Sequence, residues 1–277
     1  MCSSDLKELW QVESAVALTH EALALFSLPL EDKQKEIARV LELLRTARTL
    51  SQQGKREHKT TARLLERLAL LHYSLNQWDK AQEFFEEMLT LCHQLHDQQG
   101  IASAYHNLGI IAETRGAADE ALKWYRKSLA LEEELGNRAG MAASYHQLGR
   151  IVEARGAYEE ALEWYHRALA LNKELGNRAG RATSYNQIGV LFTTRGTPDA
   201  AIFWTLRSLL IREELRSPEI PIDLHWLTQQ RQLLGETRFL GLLREQLNED
   251  KAQALLCLLD DFASGAQDDA VETVTKA

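Results

Sequence analysis

The reading of the chain turns on IASAYHNLGIIAETRGAADEALKWYRKSLALEEELGNRAG, residues 101–140, which runs directly into MAASYHQLGRIVEARGAYEEALEWYHRALALNKELGNRAG, residues 141–180. Roughly 25 of the 40 positions coincide, far more than chance allows. A third and more divergent copy follows. In register at intervals of 40 residues stand Tyr105, Tyr145 and Tyr185; Gly109, Gly149 and Gly189; Gly116, Gly156 and Gly196; Ala121, Ala161 and Ala201; Trp124, Trp164 and Trp204; and Leu131, Leu171 and Ile211. A fixed period of this length is the signature of a repeat array.

Each copy reads as two helices. Ala102, Tyr105, Leu108, Gly109 and Ala112 share one face of the first helix, by the 3.6-residue period. Gly116 ends it, because glycine enters the left-handed cap conformation without a Cβ clash. The second helix opens near Asp119 and Glu120, acids suited to a helix N-terminus. It carries Ala121, Leu122, Trp124, Tyr125, Ser128, Leu129 and Leu131 as far as Leu135 and Gly136. Asn137 is placed to cap the next first helix. Small residues at 109 and 121 let the paired helices approach, and Tyr105, Leu108, Tyr125 and Leu129 fill the space around the crossing. A single pair cannot bury both apolar faces, so stability must come from stacking.

The pattern Tyr-x-x-Leu-Gly, then Gly, then Ala-x-x-x-Tyr/Phe-x-x-Ala/Ser resembles the tetratricopeptide repeat. Residues 102–135 match its 34-residue unit and are followed by six extra residues, a longer form similar to the repeats of kinesin light chain, spindle-orientation adaptors and bacterial signalling proteins. The match is strong over 101–215. The resemblance implies an all-α fold, a right-handed superhelical solenoid of antiparallel helix pairs.

Outward from the clear copies the signal weakens. In 61–100, Leu65, Ala69, Asn76, Ala81, Phe84 and Phe85 hold the corresponding places, with Asn76 for the turn glycine. The expected divisions are an N-terminal helical pair in 1–56, from helices at 5–26 and 31–53, and four repeat-type pairs in 57–216. A degenerate pair at 222–234 and 236–247 and a capping helix near 249–263 make up 217–263, and 264–277 form a flexible tail. Ser217-Pro218 and Pro221 interrupt the chain, since the residue before proline is biased out of helix. The repeat register after 220 is left open. Residues 1–6 resemble the in-frame translation of a sequencing adapter, so they are excluded from fold reasoning.

In the resembled family the first helices line a concave groove. Carried onto this sequence, the groove positions are Arg63, Glu66 and Arg67, then Ser103, His106, Asn107, Ile110 and Glu113, then His146, Gln147, Arg150 and Glu153, and finally Thr183, Asn186, Gln187 and Val190. Asn107, Gln147 and Gln187 form an amide ladder, and amides both donate to and accept from a peptide backbone. The alternative is that they are solvated polar residues. Ile110 and Val190 stand where a carboxylate clamp needs polar groups. The tryptophans read as wedges between a second helix and the next unit rather than as a stacking platform. Cys92 and His96 lie one turn apart, but two ligands do not make a zinc site.

Composition narrows the function class. Hydrophobic residues make up 45% and charged residues 26%, the balance of a folded soluble chain. The formal charge of −8 with interleaved signs argues against a nucleic-acid surface. Cys2, Cys92 and Cys257 are far apart and read as free thiols. The sequence has no apolar run of about 20 residues and no secretory signal, so the cytoplasm is expected and a membrane partner is not. Phosphate-loop, zinc-protease and serine-elbow motifs are missing. The reading is a non-enzymatic scaffold for a protein or peptide ligand, with no cofactor and no metal. Two alternatives stay open: a sensor fragment of a larger signalling protein such as a repeat-bearing ATPase, and a self-associating array that forms homo-oligomers.

Overall fold

The computed structural model describes residues 28–52 and 58–275. The helix expected at 5–26 and the adapter-like start lie outside them. The described residues form helices, with no strand among them, in two compact units that divide between Gly140 and Met141. The first unit holds α1 (Leu30–Gln52), α2 (His58–Ser74), α3 (Trp78–Leu95), α4 (Gln98–Thr114) and α5 (Ala118–Leu135). The second holds most of α6 (Arg138–Ala154), then α7 (Tyr158–Glu174), α8 (Arg178–Thr194), α9 (Pro198–Leu215), α10 (Ile220–Leu234), α11 (Glu236–Gln246) and α12 (Glu249–Thr275). Within each unit the packing runs between neighbours in sequence, α2 on α3 and α4 on α5 in the first, α8 on α9 in the second.

The caps follow the sequence. The side chains of Asp97, Asn137 and Asn177 accept from the backbone N–H of Gly100, Gly140 and Gly180 at 3.1, 3.2 and 3.0 Å. The helix-ending glycines take positive φ, 75° at Gly116 and 77° at Gly156, and Asn76 takes 56° in the same role. His96 and Arg216 also adopt the left-handed conformation, where Gly136 and Gly176 stand in the other copies.

The helix crossing is as tight as the small residues imply. A Cβ on Gly109 would lie 2.5 Å from Cε1 of Tyr125, and one on Gly149 would lie 2.6 Å from Cε1 of Tyr165. Both tyrosines and Ala121 and Ala161 are fully buried. The interior also holds polar groups that the apolar stripe hides. Glu132, Asn172 and Arg212 occupy one repeat position, and all are buried. Glu132 accepts from the Ser128 hydroxyl at 3.1 Å, and Asn172 accepts from Asn177 at 2.9 Å.

Several boundaries differ from the sequence reading, α1 by one residue at each end, 30–52 rather than 31–53. α10 starts at Ile220 rather than 222, because a proline in the first helical turn removes an N–H that has no intrahelical partner anyway. α11 ends one residue early, at Gln246. α12 continues to Thr275, so 264–275 are helical where the element was expected to stop near 263. The register after 220 is now fixed: Asp223 reaches Asn186 across 37 residues, the same separation as Ser103 and Glu66.

Candidate functional site

In the first unit the predicted face is built by α2 and α4. Glu66 accepts from the Ser103 hydroxyl at 2.9 Å. Burial pushes its carboxyl above the ordinary range, opposed by that hydrogen bond and by the charge of Arg63. Arg67 pairs with Glu36 of α1 at 2.7 Å. One turn along α4 the Asn107 amide donates to the Ser103 carbonyl at 3.0 Å, so that rung is held by its own helix while its carbonyl oxygen is left to accept. Ile110 lies half-buried beside it.

His106 packs against Tyr125, ring centroids 5.6 Å apart, and the Tyr125 hydroxyl donates to Glu113 at 2.9 Å. Burial lowers the His106 pKa to about 4, so the ring is neutral at neutral pH. The groove-side carboxylate is therefore tied to the interior aromatic. The second unit repeats the arrangement: His146 packs on Tyr165 at 5.9 Å, and Tyr165 donates to Glu153 at 2.5 Å. Burial raises the Glu153 carboxyl, opposed by the hydrogen bond and by Arg150.

Also in the second unit, exposed Arg150 donates to Gln147 at 3.1 Å. Thr183 bonds back to the Ala179 carbonyl at 3.2 Å, while Gln187 and Val190 are half-buried. Asn186 is different. It is 3% exposed and donates to Asp223 of α10 at 2.8 Å, so it is committed to the interior rather than presented on the face.

That commitment belongs to a network that the sequence reading missed. The third copy replaces Tyr125 and Tyr165 by Thr205, and Glu113 and Glu153 by Thr193. Gln230 of α10 fills the vacated space, its amide donating to both threonine hydroxyls at 2.9 Å. Nearby, Asp223 pairs with Arg212 at 2.9 Å, and Arg212 with Glu219 at 2.9 Å. Burial raises the Asp223 carboxyl against the pull of Arg212. The signal was available as a joint departure of 186, 193 and 205 from the repeat.

Each tryptophan of the three copies stacks or tilts against the tyrosine of its own helix pair. Trp124 stacks on Tyr105 of its own helix pair, centroids 5.4 Å apart, with the Lys127 ammonium 4.4 Å from its ring. Trp164 repeats this with Tyr145 at 5.5 Å and Arg167 at 4.8 Å. Trp204 also meets the preceding copy, through His166 at 5.6 Å. Cys92 is fully buried, its thiol pushed up to about 11 by burial. It fills the space beside Gly100, whose Cβ would lie 2.5 Å from the sulfur.

The solved structures the chain resembles share this architecture. The structure of BtubC (BKLC) from P. vanneervenii aligns at 21% identity with a TM-score of 0.64, covering 85% of this chain and 92% of that one. A kinesin light chain with nearly identical TPR-like repeats from Podosopora anserina aligns at 18% identity and TM-score 0.52, over 74% and 97% of the two chains. A Rap protein complexed with Competence and Sporulation Factor aligns at 17% identity and TM-score 0.59, over 86% and 67%. At these identities the likeness is one of fold. Compared with the curated proteins, the sequence finds no match. Among the described residues no helix is long and apolar enough to cross a membrane. The tetratricopeptide repeat family model matches residues 60–134, 100–174 and 140–214 in overlapping windows; with more than half of its length matched, the chain belongs to the tetratricopeptide repeat family.

Proposed function

We propose that this protein is a non-enzymatic cytoplasmic scaffold that binds a protein or peptide through the first-helix faces of its repeats. One observation carries the reading: the outward polar groups recur at one repeat position, Asn107 in the first unit, Gln147 and Gln187 in the second, on helices whose opposite sides are closed by packed tyrosine or threonine. Side-chain amides suit the repeating donors and acceptors of a peptide backbone. Arg150, exposed beside Gln147, adds a site for an acidic side chain of the ligand. Glu113 and Glu153 shape the floor, because each is held by a buried tyrosine hydroxyl. The Rap protein among the resembled structures was solved with Competence and Sporulation Factor bound, which supports ligand binding as a use of this fold.

The test is affinity capture on the immobilised chain, with peptide mapping of what is retained. Asn107→Ala, Gln147→Ala and Arg150→Glu together are expected to abolish capture while helicity and melting stay as in the parent. Undiminished capture by a folded triple variant puts the binding surface elsewhere.

A further inference from the structure

α9 departs from the repeat on its outer side. The positions held by Lys123 and Glu163, by Arg126 and His166, and by Ala130 and Ala170 in the preceding copies become Phe203, Leu206 and Leu210. A helix face that is charged or small in the preceding copies has become bulky and apolar, and such a face requires cover. The C-terminal helices supply part of it. Leu206 is 2% exposed and packs in one core with Phe239, Leu243 and Leu255.

The cover is incomplete. Between α9 and the start of α12 a slot of about 220 Å³ stays open, floored by Leu206, Leu209 and Leu255. Leu210 and Leu258 stand on its rim, each 38% exposed. Glu213 lies on the α9 rim and Lys251 on the α12 rim, both exposed, and neither forms an ion pair with another described residue.

Size and charge together select the occupant. The slot falls below the roughly 300–1,000 Å³ of pockets that enclose a drug-sized ligand, which favours protruding aliphatic side chains. Opposite charges on its two rims make the patch its own complement. A twofold axis through the slot sets α9 of one copy against α12 of the other, twice over. Each Glu213 then meets the Lys251 of the second copy, and Leu210 and Leu258 enter the facing slot. We propose that this α9–α12 surface is a homodimer interface, separate from the peptide-binding face and independent of it.

Sedimentation velocity of the full chain, taken into the high micromolar range, is expected to show the mass of two copies. Leu210→Asp combined with Leu258→Asp should raise the dissociation constant about tenfold or more, as removal of buried leucine contacts does, with circular dichroism and melting unchanged. The charges give a second arm that leaves the apolar slot intact. Glu213→Lys and Lys251→Glu are each expected to be single copies alone, because like charges then face each other. Mixed together they should pair, because both rim contacts become opposite in sign. A parent chain of single-copy mass throughout overturns the proposal, even if an amphipathic peptide is then found to fill the slot. So does a dimer indifferent to all four substitutions.

Discussion

His106 lies against Tyr125 with its Nδ1 closed off from solvent and without a hydrogen-bond partner among the described residues. A charged imidazolium in that position loses hydration without recovering a partner, and this is why burial holds its pKa near 4 rather than 6.5. The sign of the stability effect follows from proton uptake. Between about pH 6.5 and 4 the unfolded chain binds a proton at this residue and the folded chain does not. Stability therefore falls as pH drops through that window, by at most about 3 kcal/mol at roughly 1.4 kcal/mol per unit. His106→Gln should flatten the largest part of the slope in melting temperature against pH. His72 and His166, also lowered by burial, add to the slope, while Glu66, Glu153 and Asp223, raised by burial, oppose it. An unchanged slope in the variant would show that the ring reaches water.

At the scale of the helix pair, the crossing of α6 on α7 depends on the missing side chain at 149. Tyr165 cannot withdraw, since it is fully buried and hydrogen-bonded to Glu153. Gly149→Leu should therefore cost about 1–3 kcal/mol or more by overpacking, read as a lower urea midpoint. This crossing was legible from the sequence, because a glycine and an alanine recur at fixed spacing opposite a tyrosine. So was the Asn137 cap. The Tyr125–Glu113 bond was not, because a carboxylate on a predicted groove face gives no sign that an aromatic hydroxyl from behind will claim it. Glu132, Asn172 and Arg212 were hidden for another reason. They vary in charge at one repeat position, so periodicity alone does not show that the position is interior. α12 outran its expected end because Ser264 and Gly265 weaken a helix without forbidding it. The candidate face itself came through the family resemblance, and the structure adds that Asn186 has left it for the interior.

Across the second unit, the C-terminal helices are joined to the repeats by a mixed interface. Apolar packing of Leu224, Leu227 and Phe239 surrounds the Asp223, Arg212 and Asn186 cluster. Removing one member of a buried ion pair strands the other, at about 3–5 kcal/mol. Asp223→Ala is expected to lose that much in denaturant unfolding, because Arg212 is 4% exposed and keeps only Glu219 as an acidic partner. A loss below about 1 kcal/mol, the scale of an exposed pair, would mean that water reaches the guanidinium. The register of α10 escaped the sequence reading because Pro218 and Pro221 masked the helix start and because Asp223 and Gln230 look like surface residues until their threonine and asparagine partners are seen.

The Gln230 contacts also decide where the protein can be cut. Thr193 and Thr205 are shaped for an amide arriving from α10, so a chain ended at Arg216 would leave a hole lined with hydroxyls where Tyr125 and Glu113 make a self-sufficient floor. Anyone trimming this protein for crystals or for a minimal binding module should keep everything through the leucines of α12, and should expect shorter versions to aggregate on expression.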